Sequence, residues 1–321
     1  MRAAYVATQS AGDPLAGLTV GELELPEAPS GFRRVRVVAS SLNHHDLWSL
    51  RGVGLSGERL PMVLGCDAAG VDDDGNEVIV HGVVSSEGWR GDETLDPKRS
   101  LLSEQHPGTM ADEVWVPERN LVPKPPELTF EEAACLPTAW LTAYRMLFTV
   151  SPAAPGSTVL VQGAGGGVAS AVIALAAAAG FRVWATSRSE EKRRRALDLG
   201  ADRVFDDGAR LPERVDVVFD SVGEATWSHS LKSLVPGGTI VTCGATSGPA
   251  PSADLNRVFF LQLRVLGSTM GTREELIRLT RFLVTTGVRP VIDSVLPLED
   301  AAQGFRRMLD GEVFGKIVFR H

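Results

Sequence analysis

Apolar and polar positions change rhythm part-way along the chain. Up to about residue 120 the pattern is that of short strands. Val35-Arg36-Val37-Val38-Ala39 carries β-branched alternation, and Glu77-Val78-Ile79-Val80-His81 follows an Asp-Asp-Asp-Gly-Asn turn at 72–76. Gly and Pro punctuate this half often, which predicts an irregular antiparallel β domain. After Pro123-Lys124-Pro125-Pro126, Thr129 stands as the N-cap of a helix opening at Phe130, and a second helix is expected over 138–148. Strands and helices then alternate. Strands are predicted at 158–161, 182–185, 203–205, 215–220, 239–243 and 263–266. Runs such as Val159-Leu160-Val161 and Val217-Val218-Phe219 are apolar on both faces, as in a parallel sheet covered by helices on both sides. The expected class is α/β, with a doubly wound parallel sheet beside the irregular β domain. Strand-like sequence at 291–296 and 315–319 resembles the first half and is expected to return to it.

Composition narrows the reading. With 44% hydrophobic and 22% charged residues in 321, the chain has the balance of an ordinary soluble protein and the length for two cores. A formal charge of -8 argues against a nucleic-acid partner, which would need a basic face. Cys66, Cys135 and Cys243 are too few and too odd in number for a disulfide framework. The N-terminus has no secretory h-region, and the apolar stretch 168–179 is too short to span a bilayer. A cytoplasmic protein with no membrane partner is expected.

The strongest local motif is a buried strand followed by Gln162-Gly163-Ala164-Gly165-Gly166-Gly167-Val168-Ala169 and an Ala-rich helix. Glycines let backbone amides approach a pyrophosphate, and the helix N-terminus offers unpaired N–H groups and partial positive charge. Strictly read, Ala164-x-Gly166-x-x-Ala169 departs from the usual fingerprint at two glycines, but the strand and helix it requires flank it. Ala164, Gly165, Gly166, Gly167 and Val168 are therefore the expected pyrophosphate contacts. The end of the next strand chooses the cofactor. It holds Ser187, Arg188 and Ser189, with Lys192 one turn on, and no Asp or Glu. Hydroxyls and cations suit a 2′-phosphate, so NADPH is expected over NADH. Ser187 or Ser189 also suits the cap of the following helix. Ser221-Val222 and Gly244-Ala245 close later strands at the carboxyl edge, where open α/β sheets bind ligands.

Several segments occur together in order: Leu42-Asn43-His44-His45-Asp46-Leu47-Trp48, Leu64-Gly65-Cys66-Asp67-Ala68-Ala69-Gly70, Gly108-Thr109-Met110-Ala111-Asp112, Leu136-Pro137-Thr138-Ala139-Trp140-Leu141-Thr142-Ala143-Tyr144, Leu199-Gly200-Ala201-Asp202 and Gly315-Lys316-Ile317-Val318. Over nearly its whole length the chain resembles the medium-chain dehydrogenase/reductase family, in its zinc-independent quinone-reductase branch. The resemblance implies a GroES-like catalytic domain over 1–122 and 289–321, a Rossmann domain over 123–288, and an active site in the interdomain cleft. It implies Asn43 and Thr142 near the nicotinamide, Gly267, Ser268 and Met270 lining the same cleft, and Lys316 near the cofactor phosphates. It also implies a homodimer, paired through the apolar segment of Phe259, Phe260, Leu261 and Leu263.

Zinc members of the family hold their catalytic metal with a Cys in the segment matching 43–46, a His in the triplet matching Gly65-Cys66-Asp67, and a Cys matching Thr138. Asn43 and Thr138 are poor zinc ligands, and the stretch 85–107 lacks the cysteines of a structural zinc lobe. No metal is expected. The negative charge left by hydride transfer then needs preorganised donors and a proton. Asn43, His45, Asp46 and Arg51 are the candidate catalytic residues, His45 having a pKa suited to proton donation near neutrality; water is the other source. The expected activity is NADPH-dependent reduction of a small electron acceptor: a quinone, an enone or a related conjugated carbonyl. A zinc alcohol dehydrogenase with ligands relocated to His44, His45, Cys66 and Asp67, and an NADPH-binding redox sensor without turnover, are the alternatives.

Overall fold

The computed structural model describes residues 1–24 and 28–321. The chain forms two compact units, Met1–Leu141 with Met270–His321, and Thr142–Thr269.

The first unit is built mainly on antiparallel strands, with one parallel pair, Ile292–Pro297 beside Lys316–Arg320. Its main sheet sets Leu121–Pro123, Glu77–Val80, Ala68–Asp72, Phe32–Ser41, Lys316–Arg320 and Ile292–Pro297 side by side in that order, and Glu113–Pro117 also pairs with Phe32–Ser41. The expected return of the C-terminal strands is met: Val318, Phe319 and Arg320 lie opposite Ser41, Ser40 and Ala39. Apolar side chains from distant segments close the core beneath, including Leu47, Leu50, Leu64, Met110, Phe305, Ile317 and Phe319. The short helix Phe130–Ala134 starts at Thr129 with a reciprocal cap: Thr129 Oγ1 accepts from Glu132 N, and Glu132 Oε2 accepts from Thr129 N.

That helix packs on the strands Phe32–Ser41, Ala68–Asp72 and Lys316–Arg320. It is why the first unit runs on to Leu141, beyond the change of rhythm at 122/123, while Arg273–Thr286 packs on Leu121–Pro123 and carries the return past the other expected boundary, 288/289. The helix expected over 138–148 is a regular turn, Leu141–Arg145, between two wider π-helical turns, Leu136–Trp140 and Met146–Val150.

The second unit is a wholly parallel six-stranded sheet. Its strands lie in the order Arg203–Phe205, Arg182–Thr186, Thr158–Val161, Val215–Asp220, Leu234–Thr242, Arg264–Gly267. Chain order therefore reverses beside the first of them, Thr158–Val161, the switch point at which such sheets bind ligands. The helix Gly167–Ala178 buries every residue from Ala169 to Ala176. Its small side chains let it lie close to the sheet. Leu160, Trp184, Val218 and Ile240 form the core with Leu231 and Leu263. The strand expected at 239–243 starts earlier, at Leu234. No described helix is long and apolar enough to cross a membrane.

Candidate active site

In the parallel-sheet unit, the strand Thr158–Val161 ends in a turn that requires glycine at two positions. Gly163 has φ +70° and Gly165 φ +130°. A Cβ on Gly163 would meet Val222 Cγ2 at 2.8 Å, and one on Gly165 would meet Lys192 Cδ at 2.7 Å and Nζ at 3.4 Å. The Lys192 side chain thus lies across the turn, and the Ser221-Val222 loop packs beside it. Ala164 N donates to Thr186 O at 2.7 Å, which ties the turn to the end of the next strand. Gly166 caps the following helix with no side-chain bond, so the first-turn amides keep no side-chain acceptor.

At the neighbouring strand end the capping reading is met. Ser189 Oγ caps the helix Glu190–Asp198 by accepting from Lys192 N at 3.3 Å. Ser187 is buried and its carbonyl accepts from Arg193 Nη1 at 2.5 Å, while Arg188 is exposed. The next strand closes on a buried carboxylate. Asp220 accepts from Val222 N, Gly223 N, Thr226 Oγ1 and Ser230 Oγ at 2.7–3.0 Å, and so fixes the Ser221–Gly223 loop. A Cβ on Gly223 would meet Ala245 Cα at 2.9 Å, so the loop holding Gly244 and Ala245 packs on the Ser221–Gly223 loop. Ser268 N donates to Thr242 O, and the Ser268 hydroxyl is buried without a partner. Thr142 is buried in the same unit, which also holds Gly267. Glycine turn, open helix end, hydroxyls and cations together fit a dinucleotide carrying an extra phosphate.

The first unit gathers Asn43, Asp46 and Lys316 into one buried network, with other partners than expected. Lys316 is 2% exposed. Its ammonium donates to Leu42 O at 2.7 Å, Asn43 Oδ1 at 2.5 Å and Asp67 Oδ2 at 3.2 Å. These three acceptors use all three N–H groups, so the expectation of Lys316 on cofactor phosphates is corrected. Asp67 Oδ2 also accepts from Ser41 Oγ at 2.7 Å and Asn43 Nδ2 at 2.8 Å. The Asn43 side chain is thereby committed to Lys316 and Asp67.

Asp46 is corrected as well. It is a capping carboxylate: Oδ2 accepts from Asn43 N at 2.8 Å and Oδ1 from Gly65 N at 2.9 Å, and the residue is fully buried. Burial raises its pKa, while those two backbone bonds pull the other way. His45 has a side-chain partner at each ring nitrogen. Its Nε2 lies 3.1 Å from Glu104 Oε1 and its Nδ1 3.4 Å from Cys66 Sγ. Burial opposes charge on this ring, but Cys66, Glu104 and Asp46 outweigh it and raise its pKa well above the ordinary histidine value. Arg51 is exposed at the helix end, and Met270 is buried with φ +48°.

Glu104, which orients His45, went unseen in the sequence; nothing at a separation of 59 residues marks it. The Asn43-x-x-Asp46 spacing was the available signal for a capping role.

A parallel sheet in this order with a glycine turn at its switch point defines a dinucleotide-binding unit. Residues 167–285 match the family model described as zinc-binding dehydrogenase, and residues 31–126 that of the alcohol dehydrogenase GroES-like domain. The chain is 30% identical to the zinc-type alcohol dehydrogenase-like protein YogA of Leptosphaeria maculans, over 88% of this chain and 89% of that protein. It is 28% identical to the crotonyl-CoA carboxylase/reductase of Cereibacter sphaeroides, over 92% of this chain and 82% of that protein. A solved NAD-dependent alcohol dehydrogenase superposes with a TM-score of 0.92 at 37% identity, over the whole of both chains. The chain belongs to the medium-chain dehydrogenase/reductase superfamily, and it is an oxidoreductase.

The zinc named by one of these models does not fit the residues at the matching positions. The Asn43 amide is held by Lys316 and Asp67, and a buried ammonium already lies among those groups. Thr138 offers a hydroxyl, a poor zinc ligand, buried without a partner. The relocated set separates too: Asp67 turns to Lys316, while Cys66 turns to His45. Among the described residues no group of three or more His, Cys, Asp or Glu side chains is arranged to hold a metal.

Proposed function

We propose that the chain reduces a conjugated carbonyl compound with NADPH and without zinc: an α,β-unsaturated thioester or enone first, a quinone second. The observation that carries the reading is the Lys192 side chain lying across the glycine turn, beside a strand end that holds Ser187 and Arg188 and no carboxylate. Bound NADPH supplies the hydride. Ala164 to Val168 take the pyrophosphate on their backbone, and Arg188 and Lys192 meet the 2′-phosphate with Ser187 and Ser189. Thr142, Ser221, Val222, Gly244, Ala245, Gly267 and Ser268 complete the cofactor side of this unit. The resemblance to a crotonyl-CoA carboxylase/reductase supports an activated double bond as the substrate.

Both nitrogens of His45 have side-chain partners, so the proton comes from solvent. Lys316 holds Asn43 and the backbone at Leu42 in place, with a cation of its own rather than a metal. Two copies associate through the parallel-sheet unit. Its edge strand Arg264–Gly267 bonds to one neighbour, and Val265 on that strand is exposed, as are Leu255, Phe259 and Phe260 in the segment before it.

The cofactor reading is tested by Arg188→Ala and Lys192→Ala. Each is expected to raise KM for NADPH about tenfold or more and leave KM for NADH unchanged, since a lost charge-assisted bond contributes about 1.5–3 kcal/mol. Equal efficiency with NADH in the parent protein contradicts it.

A further inference from the structure

Gln162, the residue before the glycine turn, has no part in the chemistry above. We propose that Gln162 is a positioning residue for the dinucleotide, with His229 behind it. Its side chain holds together, from beneath, the three pieces of backbone that form the cofactor surface of the parallel-sheet unit. The proposal rests on the dinucleotide site described above and adds to it two residues that need touch no cofactor atom.

Gln162 is fully buried, and a buried amide is costly unless its groups are bonded. Oε1 accepts from Thr186 Oγ1 at 2.6 Å. Nε2 donates to His229 Nδ1 at 2.9 Å and to Ser230 Oγ at 3.0 Å, which uses both its N–H groups. The direction of the amide is set twice from outside. Ser230 Oγ donates its only proton to Asp220 Oδ2 at 2.7 Å, so it accepts from Gln162. His229 Nε2 faces the carbonyl of Ala209 at 2.9 Å and donates to it, which leaves Nδ1 to accept from the amide.

The chain of bonds ends on the glycine turn. Thr186 is fully buried and grips the first two residues of the turn. Its hydroxyl accepts from Gly163 N at 3.4 Å, and its carbonyl accepts from Ala164 N at 2.7 Å. Gln162 fixes the direction of that hydroxyl. Gly163 and Gly165, at φ +70° and +130°, have no side chains to stiffen the turn, so its shape comes from such outside bonds. Thr186 also leads directly into Ser187 and Arg188. Through Ser230, the same amide reaches Asp220, the carboxylate that fixes the Ser221–Gly223 loop. Backbone amides bind a pyrophosphate well only when they are already aimed at it, and a looser turn pays its ordering on binding. A network that served only to satisfy buried groups would change stability and leave the affinity of the folded protein alone.

The test is titration of NADPH and of NADH into folded protein, followed by nicotinamide fluorescence, beside thermal unfolding without cofactor. Gln162→Leu removes all three side-chain bonds and is expected to raise Kd for both dinucleotides about tenfold, the upper range for one net hydrogen bond. His229→Leu is expected to raise it about threefold to fivefold, at the middle of that range. His229→Asn puts an amide oxygen where Nδ1 stood and is expected to restore the parent affinity. Both dinucleotides carry the pyrophosphate, so a parent that prefers NADH refutes the NADPH reading while the loss in Gln162→Leu, read on NADH, still decides this one. Should Gln162→Leu fail to fold, the two His229 variants decide. Unchanged Kd in Gln162→Leu with a lowered Tm, or His229→Asn binding as weakly as His229→Leu, overturns the proposal.

Discussion

Lys316→Met removes the buried ammonium and keeps a side chain of similar length. Three acceptors lose their donor: Leu42 O, Asn43 Oδ1 and Asp67 Oδ2. The gravest loss is at Asp67, which has 0% side-chain exposure and one oxygen, Oδ1, already without a partner. Breaking a buried pair by removing one member costs about 3–5 kcal/mol, because the other charge is stranded. Asp67 keeps its bonds from Ser41 and Asn43, which places the expected loss near the lower end. For a unit of this size that is a fall in Tm of about 6–12 °C, at about 2–4 °C per kcal/mol. Asp67→Asn in the Lys316→Met background removes the stranded charge and is expected to recover part of the loss. Alone it destabilises, because the ammonium is then unpaired. The coupling between the two sites is expected at about 1–3 kcal/mol. Urea unfolding of the four proteins, with the slope m checked for constancy, measures it. A Lys316→Met protein within about 0.5 kcal/mol of the parent, the range of surface substitutions, refutes the reasoning. So do strictly additive changes.

Gly165→Ala forces a methyl into the Lys192 side chain at a backbone angle of φ +130° and is expected to raise KM for NADPH at least about tenfold; Gly166, at φ -69° with nothing near its missing Cβ, accepts alanine without clash or backbone strain, at the cost only of a poorer helix cap. His45→Ala is expected to leave the limbs of the pH–rate profile in place, since solvent delivers the proton, whereas loss of a limb makes His45 the donor. Phe260 is 79% exposed, and Phe260→Asp is expected to turn a dimer into a monomer in sedimentation velocity; a parent protein that is monomeric at micromolar concentration removes the pairing.

The parts legible in the sequence were those set by neighbours along the chain. Strand period, the glycine turn and the Thr129 cap each depend on residues within a few positions, and the structure holds them with small shifts at the ends. The strand at 239–243 reaches back to Leu234, which lies opposite Val215; the ladder is then interrupted over 235–238, where Gly237-Gly238 sits, and resumes with Thr239 opposite Val217. The network around Asp67 was illegible for the opposite reason. Lys316 and Asp67 are 249 residues apart and Lys316 and Asn43 are 273 apart, so no local pattern announces their meeting. Lys316 was expected near the cofactor phosphates and is instead buried against Asn43 and Asp67, because a strand from the far end of the chain joins the first sheet and carries it inside. His45 was read from its intrinsic pKa, but both its partners come from elsewhere in the unit. Asp46 is the case where a signal existed and pointed the other way, since its spacing from Asn43 is that of a cap.

The central claim is NADPH-dependent reduction of an activated double bond without zinc. It is tested most directly by following NADPH oxidation with an α,β-unsaturated acyl thioester such as crotonyl-CoA, using protein stripped with a chelator and shown by elemental analysis to hold less than stoichiometric metal. The account predicts turnover at the same rate before and after stripping, with the saturated thioester as product and a clear preference for NADPH over NADH. Turnover that is lost on stripping and restored by zinc, or no turnover on thioester, enone or quinone, contradicts it.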